Sequence, residues 1–516
     1  MTLSFVITAV CICILYKILI TVSLWNIFRN AGKNPALMLI PYYGEWLWIR
    51  ILKVKWYLYF PFLFISFINV FIVWLLLVET SYGYKRHKVS ECLAALLFPF
   101  VFFPVISRKS SFVPAATLPP FKKSKAREWL DTFVFALTAA LIVHAFWFKG
   151  YVIPSSSMEK SLNVGDCLFV SKAAYGQRIP LTPLTFPFVH HTLPFTKETP
   201  SFIKQIQLPY YRFPGFSEVK RKDIIVFNFP DGDTVSSVWQ SNYSYNALVR
   251  EVGRERVLND YVSFGKIVVR PVDKRENFVK RCIAISGDTL QIIDRQVYIN
   301  GVVQENPDGL QFNYRIYPSA MAISRNTLLK NGVSNEDIKN MMQTGTVPLT
   351  DEMAARMRTF PGVDSIVACN EQAGISDMRL FPFDPIHHNW NIDNYGPVYV
   401  PHKGDTLLLT KENISLYRRL ITVYEGNELR ETESATADGG YSGFVINGIA
   451  TDKYVVRMNY YWAMGDNRHN SADSRYWGFV PEDHLIGKAS FVWFSWNKDG
   501  KGLNKIRWNK MMRCPE

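Results

Sequence analysis

Phe278-Val-Lys-Arg-Cys-Ile-Ala-Ile285, then a short turn, then Thr289-Leu-Gln-Ile-Ile-Asp-Arg-Gln-Val-Tyr-Ile-Asn-Gly-Val-Val303, is the stretch on which the fold turns. The first run is strand-like and sets Lys280 among apolar residues. The second places Asn300-Gly301 between Val-Tyr-Ile and Val-Val. Asn-Gly between apolar runs is the strongest short-range hairpin signal, because both turn residues need positive φ. Phe444-Val-Ile-Asn-Gly-Ile449 repeats the device, and Asp223-Ile-Ile-Val-Phe-Asn228 is another apolar run of strand formers. Beyond residue 150 the pattern is short strands and turns, so a mainly antiparallel β domain is expected there.

Upstream of residue 150 the chain differs in kind. Of its 516 residues 48% are hydrophobic and 15% aromatic, high for a soluble enzyme, and the excess concentrates in this part. Residues 3–24, 57–78 and 130–148 are long enough to span a bilayer as helices, while 91–106, shorter and carrying Pro99 and Pro104, reads as a weaker third span with a re-entrant segment as the alternative. The first segment lacks a charged leader and a small-residue cleavage signal, so it is expected to be a retained span. Arg29, Lys33, Arg50, Lys53 and Lys55, and then Arg108, Lys109, Lys122, Lys123, Lys125 and Arg127, fill two loops that belong on the cytoplasmic side; Lys85, Arg86 and Lys88 lie in the loop between them. That puts residues 150–516 outside the cytoplasm. The formal net charge of +14 comes with no nucleic-acid fold motif and is best explained by membrane flanks, so no nucleic-acid partner is expected. Seven scattered cysteines show neither CxxC nor metal spacing, and no disulfide framework is expected.

These shifts divide the chain into a membrane region over 1–110, a basic linker with a transmembrane helix over 111–150, a catalytic β domain over 151–309 and 396–516, and an inserted, partly helical accessory domain over 310–395. Within the insertion, Ser334-Asn-Glu-Asp337 reads as a helix start. Residues 181–216 carry aromatic-proline clusters (Phe186-Pro-Phe188, Pro209-Tyr-Tyr211, Phe213-Pro214) and read chiefly as apolar loops closing over the core, with membrane or substrate contact as the alternative.

The chemistry centres on Ile153-Pro-Ser-Ser-Ser-Met158, just past the last apolar segment. A serine hydroxyl is a weak nucleophile until another group takes its proton. No histidine stands in a familiar triad setting and no G-x-S-x-G elbow is present, whereas Lys280 lies in an apolar strand that suits a neutral amine. Strand alternation turns Arg281 to the opposite face and puts Cys282, read as a small buried hydrophobe, on the same face as Lys280. The pairs His190-His191 and His387-His388 are poor metal sites for the same geometric reason.

Four blocks, Pro154–Met158, Asp223–Phe227, Phe278–Asp288 and Met464-Gly-Asp-Asn-Arg-His-Asn-Ser-Ala-Asp-Ser-Arg-Tyr-Trp-Gly478, resemble in order and content the bacterial type I signal peptidases, membrane-bound Ser/Lys endopeptidases. The N-terminal spans are similar to the extra membrane region of the Bacteroidetes members. The resemblance implies Ser157 as nucleophile, Lys280 as general base, the Ser155 hydroxyl with the Ser157 N–H as oxyanion hole, Ser471 as the hydroxyl that orients the lysine, and Asp473 with Arg475 as a supporting ion pair. It implies a multi-pass protein of the bacterial inner membrane, with its catalytic domain facing the periplasm. Its partners are signal-peptide-bearing preproteins and membrane lipid, and it needs no cofactor or metal. The chain departs from the family pattern at Glu159-Lys160-Ser161-Leu162, at Ala284-Ile-Ser-Gly-Asp288 and at Lys222, where the family usually has Gly. The separation of Ser157 from Lys280 is also longer than usual, which the sequence attributes to the 181–216 region. The rival from another class is a catalytically silent, membrane-anchored binding protein with the same fold.

Overall fold

The computed structural model describes residues 3–60, 68–114, 147–183, 199–240, 243–319, 323–432, 443–500 and 502–515, with isolated positions between these runs. The chain divides into two units, residues 1–146 with 180–209, and residues 147–179 with 210–516.

In the first unit helices run over Leu3–Asn30, Tyr43–Leu52, Ile68–Gly83, Val89–Leu97 and Pro99–Ser107. Leu24, Phe28, Trp48, Leu76 and Phe103 lie in its apolar core. Polar links join the helices, among them Lys17 with Glu45, Trp48 Nε1 donating to Thr80 Oγ1 at 3.0 Å, and Asn26 Nδ2 donating to Ser107 Oγ at 2.7 Å. The expected 91–106 span is a pair of helices bent by 118°. Pro99 explains the break, because it lacks an N–H and disfavours helical geometry at Phe98, whose φ and ψ are −132° and 52°. The expected 130–148 span lies almost wholly outside the described residues, and Phe148 opens a strand. Among the described residues no single helix is long and apolar enough to cross a membrane, and the bent pair reaches that measure only when its two arms are taken together.

The second unit is built on a seven-stranded sheet. In spatial order its strands are Phe148–Val152, Asp166–Ser171, Leu485–Ser495, Ile224–Asn228, Asn277–Ala284, Tyr460–Met464 and Val480–Pro481. Every neighbouring pair is antiparallel. Ile224–Asn228 and Tyr460–Met464 are buried at every position, which is why these runs read as continuous apolar stretches. Between them lies the strand that carries Lys280, with Lys280 opposite Ile225 and Arg281 opposite Ile224 and Met464.

A second sheet aligns Tyr395–Tyr399, Thr289–Ile293, Gln296–Ile299 and Val302–Val303. Asn300 and Gly301 turn the last hairpin with φ of 53° and 80°, and Asn447 and Gly448 turn Phe444–Ile446 into Ile449–Ala450 with φ of 52° and 84°. The Asp294-Arg295 turn is also left-handed, at 46° and 71°, without a glycine to announce it. Residues 310–369 hold a three-stranded sheet (Thr346–Leu349, Phe312–Pro318, Val363–Ala368) and the helices Arg325–Lys330, Asn335–Thr344 and Asp351–Met357. The second helix starts where its sequence placed it: the Asp337 N–H donates to the Ser334 Oγ at 3.0 Å. Leu328, Ile338, Val347, Leu349 and Met357 form a core of their own.

Two expectations change. Asn228 and Asn277 are direct partners, so all of 229–276 is an excursion from one strand pair, and it lengthens the Ser157 to Lys280 separation together with the 181–216 region. It contains the helices Tyr245–Val252, Arg254–Asn259 and Tyr261–Phe264 around Leu248, Val257 and Phe264. Nor, among the described aromatics of 181–216, is burial the rule: Phe202 is buried, but Tyr210, Tyr211, Phe213 and Phe216 are exposed, while Phe186 and Phe188 lie outside the described residues.

Trp462 of the central sheet is fully buried and packs against Phe381, Tyr395 and Phe479. Trp462→Ala is expected to cost about 3–5 kcal/mol. Denaturant unfolding followed by fluorescence checks this; an unchanged midpoint contradicts the packing described.

Candidate active site

Ser157 sits in a one-turn 3-10 helix, Ser156–Met158, entered through an extended Ser155 at φ −124° and ψ 159°. Apolar anchors on either side fix this turn. Ile153, Met158 and Leu162 are buried in one cluster with Leu168, Ile224 and Val226. The Leu162 N–H donates to the Met158 carbonyl at 2.7 Å, and the Gly165 N–H to the Ile153 carbonyl at 2.9 Å. The serine side chains are thus presented by a short polar arc whose ends are held in the core.

Lys280 reaches this arc from the middle of its strand. Its Nζ donates to Ser157 Oγ at 2.6 Å, and Ser155 Oγ lies 3.4 Å from Ser157 Oγ. Lys280 is 3% exposed and Ser157 9%. Burial pulls the lysine pKa down to about 8, against the upward pull of Asp473 and Asp466, and Arg475 pulls the same way as burial. Part of the lining is aromatic, with the Phe278 ring 5.6 Å from Nζ.

The 464–475 block wraps the pair. Arg475 forks onto Asp473 (Nε to Oδ1 2.9 Å, Nη2 to Oδ2 2.8 Å), and both side chains are essentially fully buried. Burial by itself raises the Asp473 pKa, but the Arg475 guanidinium and the Gly465 N–H hold it below the ordinary carboxylate value. Asp473 also accepts the Arg475 N–H as the cap of the short helix Ser474–Trp477. Gly465 has no side chain because there is no room for one: a Cβ there would stand 2.2 Å from Ser471 Oγ and 2.5 Å from the Ser157 carbonyl.

Ser471 departs from what the resemblance implies. Its Oγ is buried and has no hydrogen-bond partner, so the lysine-orienting bond is not made, although Gly465 brings the residue beside the Ser157 backbone.

Several residues of the site carried no assigned role in the sequence. The Asn467 N–H donates to the Ser157 carbonyl at 3.1 Å, Asn467 Nδ2 to the Ser156 carbonyl at 3.3 Å, and Asn470 Nδ2 to Ser156 Oγ at 2.9 Å. Arg281, on the strand face opposite Lys280, forks onto Asp466 at 2.9 and 2.7 Å, and donates to the Lys222 carbonyl at 3.0 Å. Lys222 stands at φ 71°, which accounts for the glycine the family usually has there. The signal for Asn467, Asn470 and Asp466 was their place in the long Met464–Gly478 block. Cys282, on the lysine's own face, is buried and its thiol is held protonated by that burial.

A buried amine against a serine hydroxyl on an antiparallel β scaffold is the arrangement of a serine peptidase. The chain belongs to the signal peptidase family, peptidase S26, whose model matches residues 126–351 and 400–496 and so includes every residue gathered at the site. It is 24% identical over 377 residues to Signal peptidase I of Haemophilus influenzae, covering 73% of this chain and 72% of that protein. With Signal peptidase I of Pseudomonas aeruginosa it shares 43% over 188 residues, 32% of this chain and 64% of that one. Signal peptidase I of Buchnera aphidicola subsp. Baizongia pistaciae is 21% identical over 396 residues, 76% of this chain and 84% of that one.

The buried lysine has a measurable consequence. With a folded pKa near 8 against 10.5 for the free side chain, the native state below pH 8 carries a penalty of about 3 kcal/mol, which fades as pH rises from 8 toward 10.5 and the native lysine deprotonates first. Lys280→Met, similar in length and uncharged, is therefore expected to be more thermostable than the parent at pH 7, with the gain shrinking above pH 9. A variant less stable than the parent at pH 7 contradicts the burial effect.

Proposed function

We propose that this protein removes signal peptides from exported preproteins, with Ser157 as nucleophile and Lys280 as general base. The observation that carries the reading is the 2.6 Å contact between Lys280 Nζ and Ser157 Oγ at a buried position where the amine titrates far below an ordinary lysine. Neutral Lys280 takes the hydroxyl proton as Ser157 Oγ attacks the scissile carbonyl carbon. The resulting oxyanion accepts hydrogen bonds from the Ser157 N–H and the Ser155 hydroxyl. Collapse breaks the C–N bond, and the lysine ammonium returns the proton to the departing amine. Water then enters, loses its proton to the same lysine and attacks the ester carbonyl; collapse breaks the C–O bond, and the lysine ammonium returns that proton to Ser157 Oγ, freeing the serine and the neutral amine. Asp473 with Arg475 holds the block around the pair, and Ser471 lies beside it.

The same reading assigns residues 1–110 and 111–150 to membrane anchoring, 310–395 to an inserted accessory domain, and the catalytic β domain to the periplasmic side of a multi-pass inner-membrane protein. What supports the anchoring is the apolar N-terminal sequence with its basic flanks. Tethering enzyme and substrate helix in one bilayer raises their effective concentration. Lipid contact follows from that tethering.

Ser157→Ala is expected to bind a preprotein but release no mature-length product, while Ser155→Ala loses about 10²-fold in kcat because one oxyanion donor remains. Gel assay of purified full-length protein with a preprotein checks both. Near-parental turnover by Ser157→Ala removes Ser157 from the chemistry.

A further inference from the structure

The loop that touches the Ser157 turn is gripped from its other side by residues 310–395. The Gln311 N–H donates to the Asp466 carbonyl and the Arg468 N–H to the Gln311 carbonyl, each at 2.9 Å, so Gln311 and Asn467 form a parallel bridge. Asn467 is also bonded to Ser157 and Ser156, and Asn470 to Ser156. His469 lies between these two asparagines, with its side chain 4% exposed and both ring nitrogens engaged. The Asn313 N–H donates to Nδ1 at 3.1 Å, and Nε2 stands 2.8 Å from Asp393 Oδ1. A backbone N–H can only donate, so Nδ1 is the bare nitrogen and Nε2 carries the hydrogen that goes to the carboxylate. Asp393 is itself fixed, since its other oxygen accepts the Glu371 N–H at 2.9 Å. Phe312 meets the imidazole edge-on, ring centres 5.5 Å apart.

We propose that His469 is a positioning residue for the peptidase reaction: it ties both ends of the 310–395 segment, at Asn313 and at Asp393, to the loop that seats Ser157 against Lys280. The proposal rests on the Ser157–Lys280 reading above. Residues 465–473 have no regular secondary structure of their own. Their placement therefore comes from such cross-links, and the imidazole is the side chain that joins two distant points of the segment to the loop at once. A shift of about 1 Å in a reacting group is enough to cost on the order of 10²-fold in rate. The segment thus acts on the chemistry through the loop.

The test uses full-length protein, with sites counted by titration with an acylating inhibitor and with kcat and KM measured per titrated site on a preprotein. His469→Ala is expected to lower kcat by about ten- to hundredfold with KM within about threefold of the parent. His469→Gln, whose amide nitrogen reaches the Nε2 position and can still donate to Asp393, is expected to lie between the two. Parental kcat per titrated site in His469→Ala, even with a lowered Tm, overturns the proposal and leaves the imidazole a purely structural tie. If His469→Ala does not accumulate as folded protein, Asp393→Ala takes its place with the same expected fall in kcat and the same overturning result. Ser157→Ala runs alongside: turnover there removes the underlying reading, whereas a dead Ser157→Ala beside a fully active His469→Ala removes only the role of His469.

Discussion

On the proposed mechanism, everything at this site depends on keeping one amine uncharged where it touches a hydroxyl. Two carboxylates, Asp473 and Asp466, act on Lys280 to favour its charged form, and either one left unpaired would favour the ammonium more. Each is instead paired by an arginine fork, Asp473 by Arg475 and Asp466 by Arg281, with all four side chains buried. Replacing a buried ion pair by apolar residues is often neutral or stabilising, so these pairs are weak stability devices. Their physical effect here is electrostatic: they neutralise the carboxylates that position the loop, and leave desolvation to decide the charge of Lys280.

The same constraint explains the crowding of the Met464–Gly478 block. It must approach Ser157 closely enough for Gly465 to lie against the Ser157 carbonyl and Ser471. It also buries Arg468, whose pKa burial lowers to about 10 and whose Nε donates to the Gly465 carbonyl at 3.2 Å. A site of this kind trades stability for chemistry, since a desolvated lysine and packed guanidinium groups are retained where apolar residues would fold more stably.

The antiparallel scaffold was legible wherever the signal was local. Asn300-Gly301 and Asn447-Gly448 carry their turn chemistry in two letters, and Ser334 announces its helix by a side chain three residues from the N–H it caps. Asp294-Arg295 makes an equally tight turn with residues that seldom take positive φ, so it left no signal. The 229–276 excursion was missed because the pairing that defines it joins Asn228 to Asn277 across helices of only four to eight residues, too short for periodicity to mark. At the site, Ser157, Ser155 and Lys280 come together where the resemblance put them, whereas Ser471 makes no bond to the lysine. Strand alternation turned Arg281 away from Lys280, but its partner Asp466 is 185 residues distant, and no single-sequence pattern reports a contact of that range.

The most direct measurement is the pH dependence of kcat/KM on a preprotein, because it reports the essential base of the free enzyme. As the proposed base, Lys280 must be neutral to act, so activity should rise with pH through an ascending limb near 8 and level off above it. Glu159, two residues from Ser157 and pushed up to about 7 by burial and Asp337, titrates nearby, so the profile is repeated in Glu159→Gln, which is expected to keep the limb. A limb that stays near 8 in both proteins and vanishes with activity in Lys280→Met is the expected result. A limb near 10, one that disappears in Glu159→Gln, or a Lys280→Met enzyme whose profile overlays the parent's contradicts a buried lysine base.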